Sequence, residues 1–444
     1  MAHGAGTRLF GTDGVRGVAN VELTPHLALD LGRAAGSLLS HGPVVVGRDT
    51  RRSGEMLSMA VQAGLQSVGM DTIDVGVMPS GGISHLTYKG SAEMGVIVSA
   101  SHNPAADNGI KFLDKLGSKL SDAAEDRIEA KLRKPDSASV PYGGGVGTRL
   151  RLHDAIDQYV SDLARDASYS FTGIAVTLDC AHGAAYQAAP TLFNALKADV
   201  SVIGAEPTGL NINDGFGATF PSTVAKAAAG AIGLAFDGDA DRLIASDEKG
   251  RIVDGDRIMA IVARHWQKAG KLKGGLVVTT VMANLGFMRA MADAGIEVVT
   301  TKVGDRYVLE AMNQRKAILG GEQSGHVIFL DRGRTGDGLL TAIRLLEVVA
   351  GTGRSLADLS DEAMITYPQR LVNVEVARKD RLESATEVWD AVGEAERELG
   401  SDGRVLIRAS GTEPLVRVMV EASRAADAQR YADALAETVR VALG

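Results

Sequence analysis

Three aspartates alternate with small residues in the stretch AFDGDADR, residues 235–242. Asp237, Asp239 and Asp241 follow an apolar run at positions i, i+2 and i+4. Carboxylates at this spacing repel one another unless a cation lies among them, and hard oxygen ligands suit Mg²⁺ or Ca²⁺. The pattern therefore predicts a cage for a divalent cation, with a solvated acidic turn as the alternative.

Two other interpretations of the aspartates stay open. In an EF-hand, Glu248 falls at loop position 12, but Arg242 stands where that loop needs Gly. A phosphatase of the haloacid dehalogenase type would use Asp237 as nucleophile and Asp239 as acid/base. Asp241 counts against it, because that family prefers Thr or Val there.

A second polar cluster follows an apolar run in GVIVSASHNP, residues 95–104. The run ends at Val98, and Ser101, Asn103 and Pro104 come next. Ser and Asn satisfy their own loop backbone and proline ends strand pairing, so a plain turn is the simple interpretation. The rest of the chain decides whether Ser101 does more.

The stretch LGGEQSGH, residues 319–326, predicts a binding segment for a polyol such as a sugar. Glu322, Ser324 and His326 would share one extended face, presenting a carboxylate, a hydroxyl and an imidazole. A hydrated hairpin tip is the alternative.

The stretch RASGTEPLVR, residues 408–417, predicts an anion pocket. Arg408 and Arg417 flank a loop of hydroxyls and backbone N–H groups, and such groups bind phosphate well. A plain turn between two strands is the alternative. The members of this set are Arg408, Ser410, Gly411, Thr412 and Arg417.

All four stretches come directly after an apolar strand. Ligands of open α/β sheets bind outside the carboxyl ends of the strands. We therefore expect the four segments to serve one central cleft, which makes four unrelated turns a poor account.

Composition excludes several classes of partner. The net charge is −8, from 47 basic and 55 acidic residues, without a basic block, so we expect no nucleic acid partner. No uncharged apolar run reaches ~18 residues, and the first residues lack a signal core, so we expect no membrane partner and a cytoplasmic protein. Cys180 is the only cysteine and cannot form an intramolecular disulfide.

The order of strand-like and helix-like segments predicts several α/β domains. PVVVGRD, a helical pattern from Ser53 to Val68, TIDVGV and MGVIVSA follow the βαβ rhythm of a mostly parallel sheet. Two further α/β segments and a small α+β segment follow. The predicted domains are 1–150 with the serine, 151–250 with the aspartates, 251–365 with the sugar-binding loop, and 366–444 with the anion pocket.

The four motifs SASHNP, DGDADR, GEQSGH and RASGTEP, in this order, resemble those of the α-D-phosphohexomutase superfamily over the whole chain. LFGTDGVRG, TGLNINDGFGAT (208–219) and Gln323 resemble its bacterial phosphoglucosamine mutase branch. The resemblance implies three similar α/β domains with mixed, mostly parallel sheets and a smaller C-terminal α+β domain around a central cleft. His182, in DCAHGA, departs from the family, which often has Asn there.

The resemblance also implies roles for the polar residues. Ser101 would carry a phosphoryl group, and one of its oxygens would join Asp237, Asp239 and Asp241 around one Mg²⁺. A phosphoserine carries about −1.5 to −2 charges at neutral pH, so three aspartates would repel it without the cation.

Three further side chains match positions beside the reacting oxygens. The resemblance implies acid/base help and charge stabilisation from Lys111 and His326, and a phosphate-facing side chain at Arg16. The substrate-binding residues that it implies are Glu322, Ser324, Arg408, Ser410, Gly411, Thr412 and Arg417.

The activity implied is the interconversion of glucosamine 6-phosphate and glucosamine 1-phosphate through glucosamine 1,6-bisphosphate. That bisphosphate, or a related one, would prime the enzyme, and the product would feed UDP-N-acetylglucosamine and cell-wall synthesis. A phosphoglucomutase/phosphomannomutase, a metal-dependent phosphatase and a non-catalytic sugar-phosphate sensor are the alternatives. We expect a monomer or a homodimer.

Overall fold

The chain divides into two compact units in the computed structural model. Unit 1 comprises Met1–Met282 and Ile296–Asp361, and unit 2 comprises Ala283–Gly295 and Glu362–Gly444. The structure describes residues 8–11, 13–40, 42–134, 141–410 and 414–444.

The first sheet of unit 1 carries the serine motif. Its elements and their helices are β1 (Val15–Val18), α1 (Pro25–Gly36), β2 (Val44–Arg48), α2 (Arg52–Ser67), β3 (Thr72–Val77), α3 (Ser80–Lys89), β4 (Met94–Val98), β5 (Asp107–Asp114), α4 (Asp122–Arg133) and β6 (Arg149–Arg151). The strand order is β1-β5-β4-β2-β3-β6, with β4, β2, β3 and β6 parallel and β5 antiparallel to both of its neighbours, β1 and β4. Every residue of β4 is buried, as is typical of a strand covered on both faces.

The second sheet carries the aspartates. Its elements are α5 (Ala155–Asp166), β7 (Ala175–Asp179), α6 (Ala185–Ala195), β8 (Asp199–Ile203), α7 (Pro221–Ala228), β9 (Ile232–Phe236), β10 (Leu243–Ser246) and β11 (Ile252–Val253). The order is β11-β10-β9-β7-β8. Strands β8, β7 and β9 are parallel, whereas β9, β10 and β11 form an antiparallel meander. The aspartates occupy the turn between β9 and β10.

The third sheet carries the GEQSGH motif. The elements along this part of the chain are α8 (Gly255–Lys268), β12 (Leu276–Thr280), α9 (Leu285–Asp293), β13 (Glu297–Thr301), α10 (Asp305–Arg315), β14 (Leu319–Gly321), β15 (Val327–Phe329), α11 (Gly338–Thr352) and α12 (Leu356–Ala363). The order is β13-β12-β14-β15, with only the β14–β15 pair antiparallel. Helix α9 belongs to unit 2.

Unit 2 has a small antiparallel sheet. Its remaining elements are β16 (Gln369–Glu375), α13 (Thr386–Leu399), β17 (Gly403–Ala409), β18 (Leu415–Ala422) and α14 (Ala425–Leu443). The order is β16-β18-β17, and the core between this sheet and its helices contains Val388, Val418 and Val439. Helix α9 joins this unit through Asn284, which caps the helix and donates to Glu421 Oε1 at 3.0 Å.

The predicted fold class is confirmed: three α/β sheets, each mixed and together mostly parallel, precede a small α+β unit. Several helices begin where the local sequence provides a side-chain cap. Ser121 caps α4, Asp254 caps α8 and Asp337 caps α11, each accepting a bond from a backbone N–H of the first turn. Among the helices in the described parts of the chain, none is both long and apolar enough to cross a membrane.

Candidate active site

The serine of the SASHNP motif lies at the carboxyl end of β4, where the chain turns sharply. Ser101 has a left-handed backbone (φ 51°), which is uncommon for a residue with a Cβ atom. Its N–H donates to Ser99 Oγ at 2.8 Å, and its Oγ donates to Asp237 Oδ2 at 2.6 Å. The turn therefore directs the hydroxyl of Ser101 at the aspartates of the second sheet.

The three aspartates form a buried cage. Asp237, Asp239 and Asp241 each offer a carboxylate oxygen, and these oxygens all lie within 4.8 Å of one another. Oδ1 of Asp239 and Oδ1 of Asp241 are buried without a hydrogen-bond donor in the described parts of the chain. Burial, together with Asp241 and Asp239, raises the pKa of Asp237 well above its ordinary value. Unpartnered oxygens and crowded carboxylates fit a divalent cation bound by oxygen ligands, and Mg²⁺ prefers such ligands.

The serine and aspartate loops touch through their backbones. A Cβ atom on Gly238 would lie 2.5 Å from the carbonyl oxygen of Ser101. Only glycine fits there, which explains why a glycine separates the first two aspartates of the cage.

The EF-hand alternative is wrong. The aspartates lie in the turn of an antiparallel strand pair, not between two helices. Glu248 does not act as a ligand at this turn. Its carboxylate instead accepts bonds from the N–H groups of Leu356 and Ala357 at the start of α12, both at 2.9 Å.

Alternating charges surround the cage. Lys111 Nζ lies 3.1 Å from Asp239 Oδ2 and 3.0 Å from Asp13 Oδ2. Lys119 pairs with Asp13 and with Asp305. Burial opposes the ammonium form of Lys111, but Asp13 and Asp239 outweigh it and raise its pKa. Lys111 is therefore a cation at neutral pH and suits charge stabilisation.

The chain of charges returns to the cage through His326. Its Nε2 lies 3.4 Å from Asp305 Oδ2, and its Nδ1 lies 3.4 Å from Asp241 Oδ2. Burial lowers the pKa of His326, but Asp241 and Asp305 outweigh burial and raise it. When the ring is neutral, Nε2 accepts from Gly336 N at 3.0 Å, a bond that places the single ring proton on Nδ1. The imidazole thus holds its proton on the side of Asp241.

Two arginines have guanidinium groups beside the serine and the cage. Arg16 Nη1 donates to Asn103 Oδ1 at 3.1 Å, and Arg242 Nε lies 3.8 Å from Asp241 Oδ1. Nε of each arginine is buried and without a hydrogen-bond partner among the described residues. Donors of this kind fit an anion such as a phosphoryl group.

The GEQSGH motif differs from its predicted extended face. It is a tight turn between β14 and β15, in which Glu322 N donates to His326 O at 3.0 Å and Gly325 is left-handed (φ 92°). Glycine permits that turn, which periodicity alone does not reveal. His326 is therefore buried, whereas Ser324 lies at the exposed tip. Glu322 Oε1 accepts from Gly304 N at 3.0 Å.

Comparison with known proteins assigns the chain to a family. Phosphoglucomutase/phosphomannomutase family models match residues 7–139 (alpha/beta/alpha domain I), 254–367 (alpha/beta/alpha domain III) and 371–438 (C-terminal domain). The phosphoglucosamine mutase of Renibacterium salmoninarum is 51% identical over 98% of this chain and 98% of its own length. The chain belongs to the phosphoglucosamine mutase family.

Crystal structures share the fold of this phosphoglucosamine mutase family member. A phosphoglucomutase/phosphomannomutase family protein from Burkholderia thailandensis has a TM-score of 0.83 and 28% identity, covering 98% of this chain and 97% of its own. The N-acetylphosphoglucosamine mutase of Aspergillus fumigatus, in complex with GlcNAc-6P and magnesium, has a TM-score of 0.72 and 19% identity, covering 98% and 96%. The latter likeness is one of fold.

A second cluster of polar residues lies in unit 2, within residues 371–438, which match the phosphoglucomutase/phosphomannomutase C-terminal domain. Arg408 on β17 is directly opposite Arg417 on β18. Like charges in such a pair repel, and burial and Arg417 lower the pKa of Arg408. Lys379 Nζ donates to the carbonyl oxygen of Ser410, which is buried, at 2.9 Å. Three cationic groups at one strand end fit an anion. Gly411 and Thr412 lie outside the described residues.

Gln323 and the loop 208–219, two of the features that resemble phosphoglucosamine mutases, support the site indirectly. Gln323 Nε2 lies 3.3 Å from Oδ2 of Asp254, so its amide ties the turn to the cap of α8. In the loop 208–219, Asn213 Nδ2 donates to the carbonyl oxygen of Ser101 at 2.9 Å. Gln323 therefore anchors the turn that contains His326, and Asn213 anchors the backbone of Ser101.

His182 has a left-handed backbone (φ 50°), a conformation that Asn adopts more readily than most other residues. The imidazole Nδ1 accepts from Glu206 N at 3.2 Å, and the ring packs edge-on against Phe216 at 4.8 Å between centroids. His182 therefore has a structural role.

Unit 1 brings together most of the predicted residues, namely Ser101, Asp237, Asp239, Asp241, Lys111, His326, Arg16 and Glu322. Sequence reasoning missed others that complete the cluster: Asp13, Ser80, Lys119, Arg242 and Asp305, with Lys379 in unit 2. Asp13 and Arg242 lie inside motifs already singled out, so their charges were a usable signal. Lys119 and Asp305 carry no local signal, because they meet 186 positions apart.

Proposed function

We propose that this member of the phosphoglucosamine mutase family interconverts glucosamine 6-phosphate and glucosamine 1-phosphate, as an isomerase with a phosphoserine at Ser101. The observation that carries the proposal is the 2.6 Å bond between Ser101 Oγ and Asp237 Oδ2 in a buried three-aspartate cage. The hydroxyl oxygen of Ser101 therefore lies next to the cation site, and phosphoryl transfer requires the reacting oxygen and the cation to be adjacent.

The proposed reaction has two balanced transfers. In the first, the bond between phosphorus and Ser101 Oγ breaks and a bond to O1 of glucosamine 6-phosphate forms. The proton of the O1 hydroxyl leaves, and Ser101 Oγ regains a proton, which it donates to Asp237 as in the structure. In the second transfer, the bond between phosphorus and O6 of glucosamine 1,6-bisphosphate breaks and a bond to Ser101 Oγ forms. Ser101 Oγ gives up its proton, and O6 takes up a proton as the 1-phosphate forms.

The surrounding residues have separate roles in this proposal. Lys111 stabilises charge, because its raised pKa keeps it cationic, and His326 holds a proton on Nδ1 for acid/base help. Arg16 and Arg242 offer buried N–H groups to a phosphoryl group. Asp237, Asp239 and Asp241, with a Ser101 oxygen, would hold Mg²⁺, which would supply charge neutralisation for the phosphoryl group.

Substrate contacts complete the proposal. Glu322 and Ser324 would bind sugar hydroxyls. Arg408, Ser410, Gly411, Thr412 and Arg417 would bind the phosphate that is not reacting. Glucosamine 1,6-bisphosphate, or a related sugar bisphosphate, would prime the serine. We also propose the domain bounds 1–150, 151–250, 251–365 and 366–444, a monomer or homodimer, and a cytoplasmic location.

The proposed substrate can be tested by initial rates. We expect kcat/KM for glucosamine 6-phosphate to exceed that for glucose 6-phosphate by at least ~10-fold, which needs about 1.4 kcal/mol of differential transition-state binding. Purified protein would be assayed with the 6-phosphates of glucosamine, glucose and mannose after priming with the matching bisphosphate. Equal efficiencies would favour the phosphoglucomutase/phosphomannomutase alternative.

The anion site of unit 2 gives a second prediction. Arg417→Ala should release glucosamine 1,6-bisphosphate into solution, because a charge-assisted hydrogen bond contributes roughly 1.5–3 kcal/mol and its loss shortens residence ~10-fold or more. Added bisphosphate should partly restore turnover, and Arg417→Lys should rescue poorly, because an ammonium lacks the guanidinium fork.

Release would be followed by ³¹P NMR during turnover. Arg424→Ala is the matched control, since Arg424 is an exposed arginine of the same unit paired with Asp427. A higher KM without leaked bisphosphate would contradict retention of the intermediate by Arg417.

A further inference from the structure

The loop that presents Ser101 is held by side chains outside the predicted site. We call residues 99–104 the serine loop. Beside it lies Arg51, whose side chain is fully buried, with Nε 2.9 Å from Oδ2 of the equally buried Asp49. A buried charge pair is costly to desolvate unless its remaining hydrogen-bonding groups are satisfied. The hydrogen-bond partners of the remaining N–H groups of Arg51 therefore indicate the role of the Asp49–Arg51 pair.

Those N–H groups bind the backbone of the serine loop. Arg51 Nη2 donates to the carbonyl oxygens of Ser101 at 2.9 Å and Asn103 at 2.8 Å, and Nη1 donates to that of Pro104. Three carbonyls of one loop thus converge on one planar guanidinium group. A lysine could not reproduce this arrangement, because its ammonium is a point charge without the fixed fork.

Asp49 holds the backbone N–H of Ser101 through Ser99. Its Oδ2 accepts from Ser99 Oγ at 2.6 Å, and Ser99 Oγ accepts from the N–H of Ser101 at 2.8 Å. Both backbone polar groups of Ser101 therefore belong to one network anchored on the Asp49–Arg51 pair.

A second donor comes from the loop 208–219 of the second sheet. Asn213 Nδ2 donates to the carbonyl oxygens of Ser101 at 2.9 Å and Asn103 at 3.1 Å. The backbone of Asn213 is itself held, since its N–H donates to Ala181 O at 2.9 Å. The side-chain amide of Asn213 thus joins the serine loop to the α/β segment around the second sheet, which also contains the aspartate cage.

We propose that Arg51 and Asn213 are positioning residues for phosphoryl transfer, which hold the serine loop by its carbonyl oxygens so that Ser101 Oγ stays opposite Asp237. This inference rests on the proposed function. The left-handed backbone of Ser101 persists only where its surroundings impose it. The loop must also keep its position as a phosphoryl group, with its charge, arrives and leaves beside three carboxylates.

The proposal predicts a loss of rate without a matching loss of binding. Asn213→Ala and Arg51→Lys should lower kcat by about 10- to 100-fold, because a misplacement near 1 Å costs that much, and should change KM less than ~3-fold. Asn213→Asp should lower kcat further, because a carboxylate oxygen would replace Nδ2 against two carbonyl oxygens. Among the described residues, neither Arg51 nor Asn213 forms a hydrogen bond with a cage aspartate, so Mg²⁺ affinity should stay unchanged.

The experiment measures the transfer step itself. Enzyme labelled with ³²P on Ser101 would be mixed with glucosamine 6-phosphate in a single-turnover chase, and amide hydrogen exchange of residues 99–104 would be recorded on the same samples. We expect slower chase and faster exchange in the Arg51 and Asn213 variants. Arg344→Lys is the matched control, because Arg344 is buried in α11 and pairs with Glu347 at 2.8 Å away from the serine loop.

The outcomes distinguish failure of the proposed function from failure of the positioning role of Arg51 and Asn213. If wild-type protein accepts no phosphate on Ser101, the proposed function fails and the positioning role fails with it. If the wild type turns over and the folded Asn213 and Arg51 variants keep the chase rate and exchange of the wild type, the positioning role alone is overturned. Equal slowing by Arg344→Lys would assign the effect to general destabilisation and would also overturn it.

Discussion

Replacing Ser101 with alanine should lower kcat by about 10⁴-fold or more, as the removal of a nucleophile commonly does. The reason is geometric: Ser101 Oγ is the hydroxyl that the turn after β4 directs at Asp237. The variant should fold, because Ala loses only the hydrogen bonds of Oγ to Asp237 and His102. Its backbone keeps the bond from N–H to Ser99 Oγ and the bonds from Arg51 and Asn213 to its carbonyl oxygen.

Intact-mass and peptide mass spectrometry would accompany the kinetics. Wild-type protein should carry phosphate on the peptide that contains Ser101, and Ser101→Ala should carry none. Ser246→Ala is the control, because it removes the hydroxyl of a fully buried serine in β10 outside the cluster. Phosphate on Asp237 would instead support the metal-dependent phosphatase.

Asp239→Asn should lower kcat by about 10²- to 10³-fold at a fixed Mg²⁺ concentration. The variant keeps the shape of the side chain but removes one charge from the cage and one partner from Lys111, whose Nζ lies 3.1 Å from Asp239 Oδ2. Removing one group that stabilises charge in the transition state typically costs about 2.7–4 kcal/mol of activation free energy, which is about 10²- to 10³-fold in kcat.

The metal requirement can be measured apart from activity. Titration calorimetry should show weaker Mg²⁺ binding by Asp239→Asn than by the wild type. Asp247→Asn is the control, because Asp247 is buried near the same hairpin but pairs with Arg251 at 2.7 Å. Full activity of wild-type protein in excess chelator, with no metal found by elemental analysis, would contradict the proposed Mg²⁺ requirement.

The sequence by itself determined the elements and the ends of strands that carry chemistry. Continuous apolar runs such as Met94–Val98 and Ile232–Phe236 predict buried strands, and both are strands with every residue buried. Turn residues after these runs are a local signal, so the serine and the aspartates could be placed at strand ends without a structure. The crowding of three carboxylates also follows from their spacing alone.

The local sequence was less informative where a turn replaced an extended segment. GEQSGH has the alternation of a strand, but the left-handed Gly325 closes it into a hairpin, and a Cβ atom there would lie 2.3 Å from the carbonyl oxygen of Leu243. That contact belongs to another sheet. In the hairpin, Ser324 is exposed and His326 is buried.

Only the tertiary structure decided which distant groups surround the serine. Lys119 meets Asp305 across 186 positions, and Asn213 meets Ser101 across 112. Arg51 reads from sequence as an ordinary residue before a helix, yet its guanidinium is fully buried under the serine loop. Hydrophobic periodicity and turn chemistry act over a few residues, so they specify strands and their ends. Which charges pair inside depends on how the sheets pack, because burial removes the water that would otherwise satisfy each group.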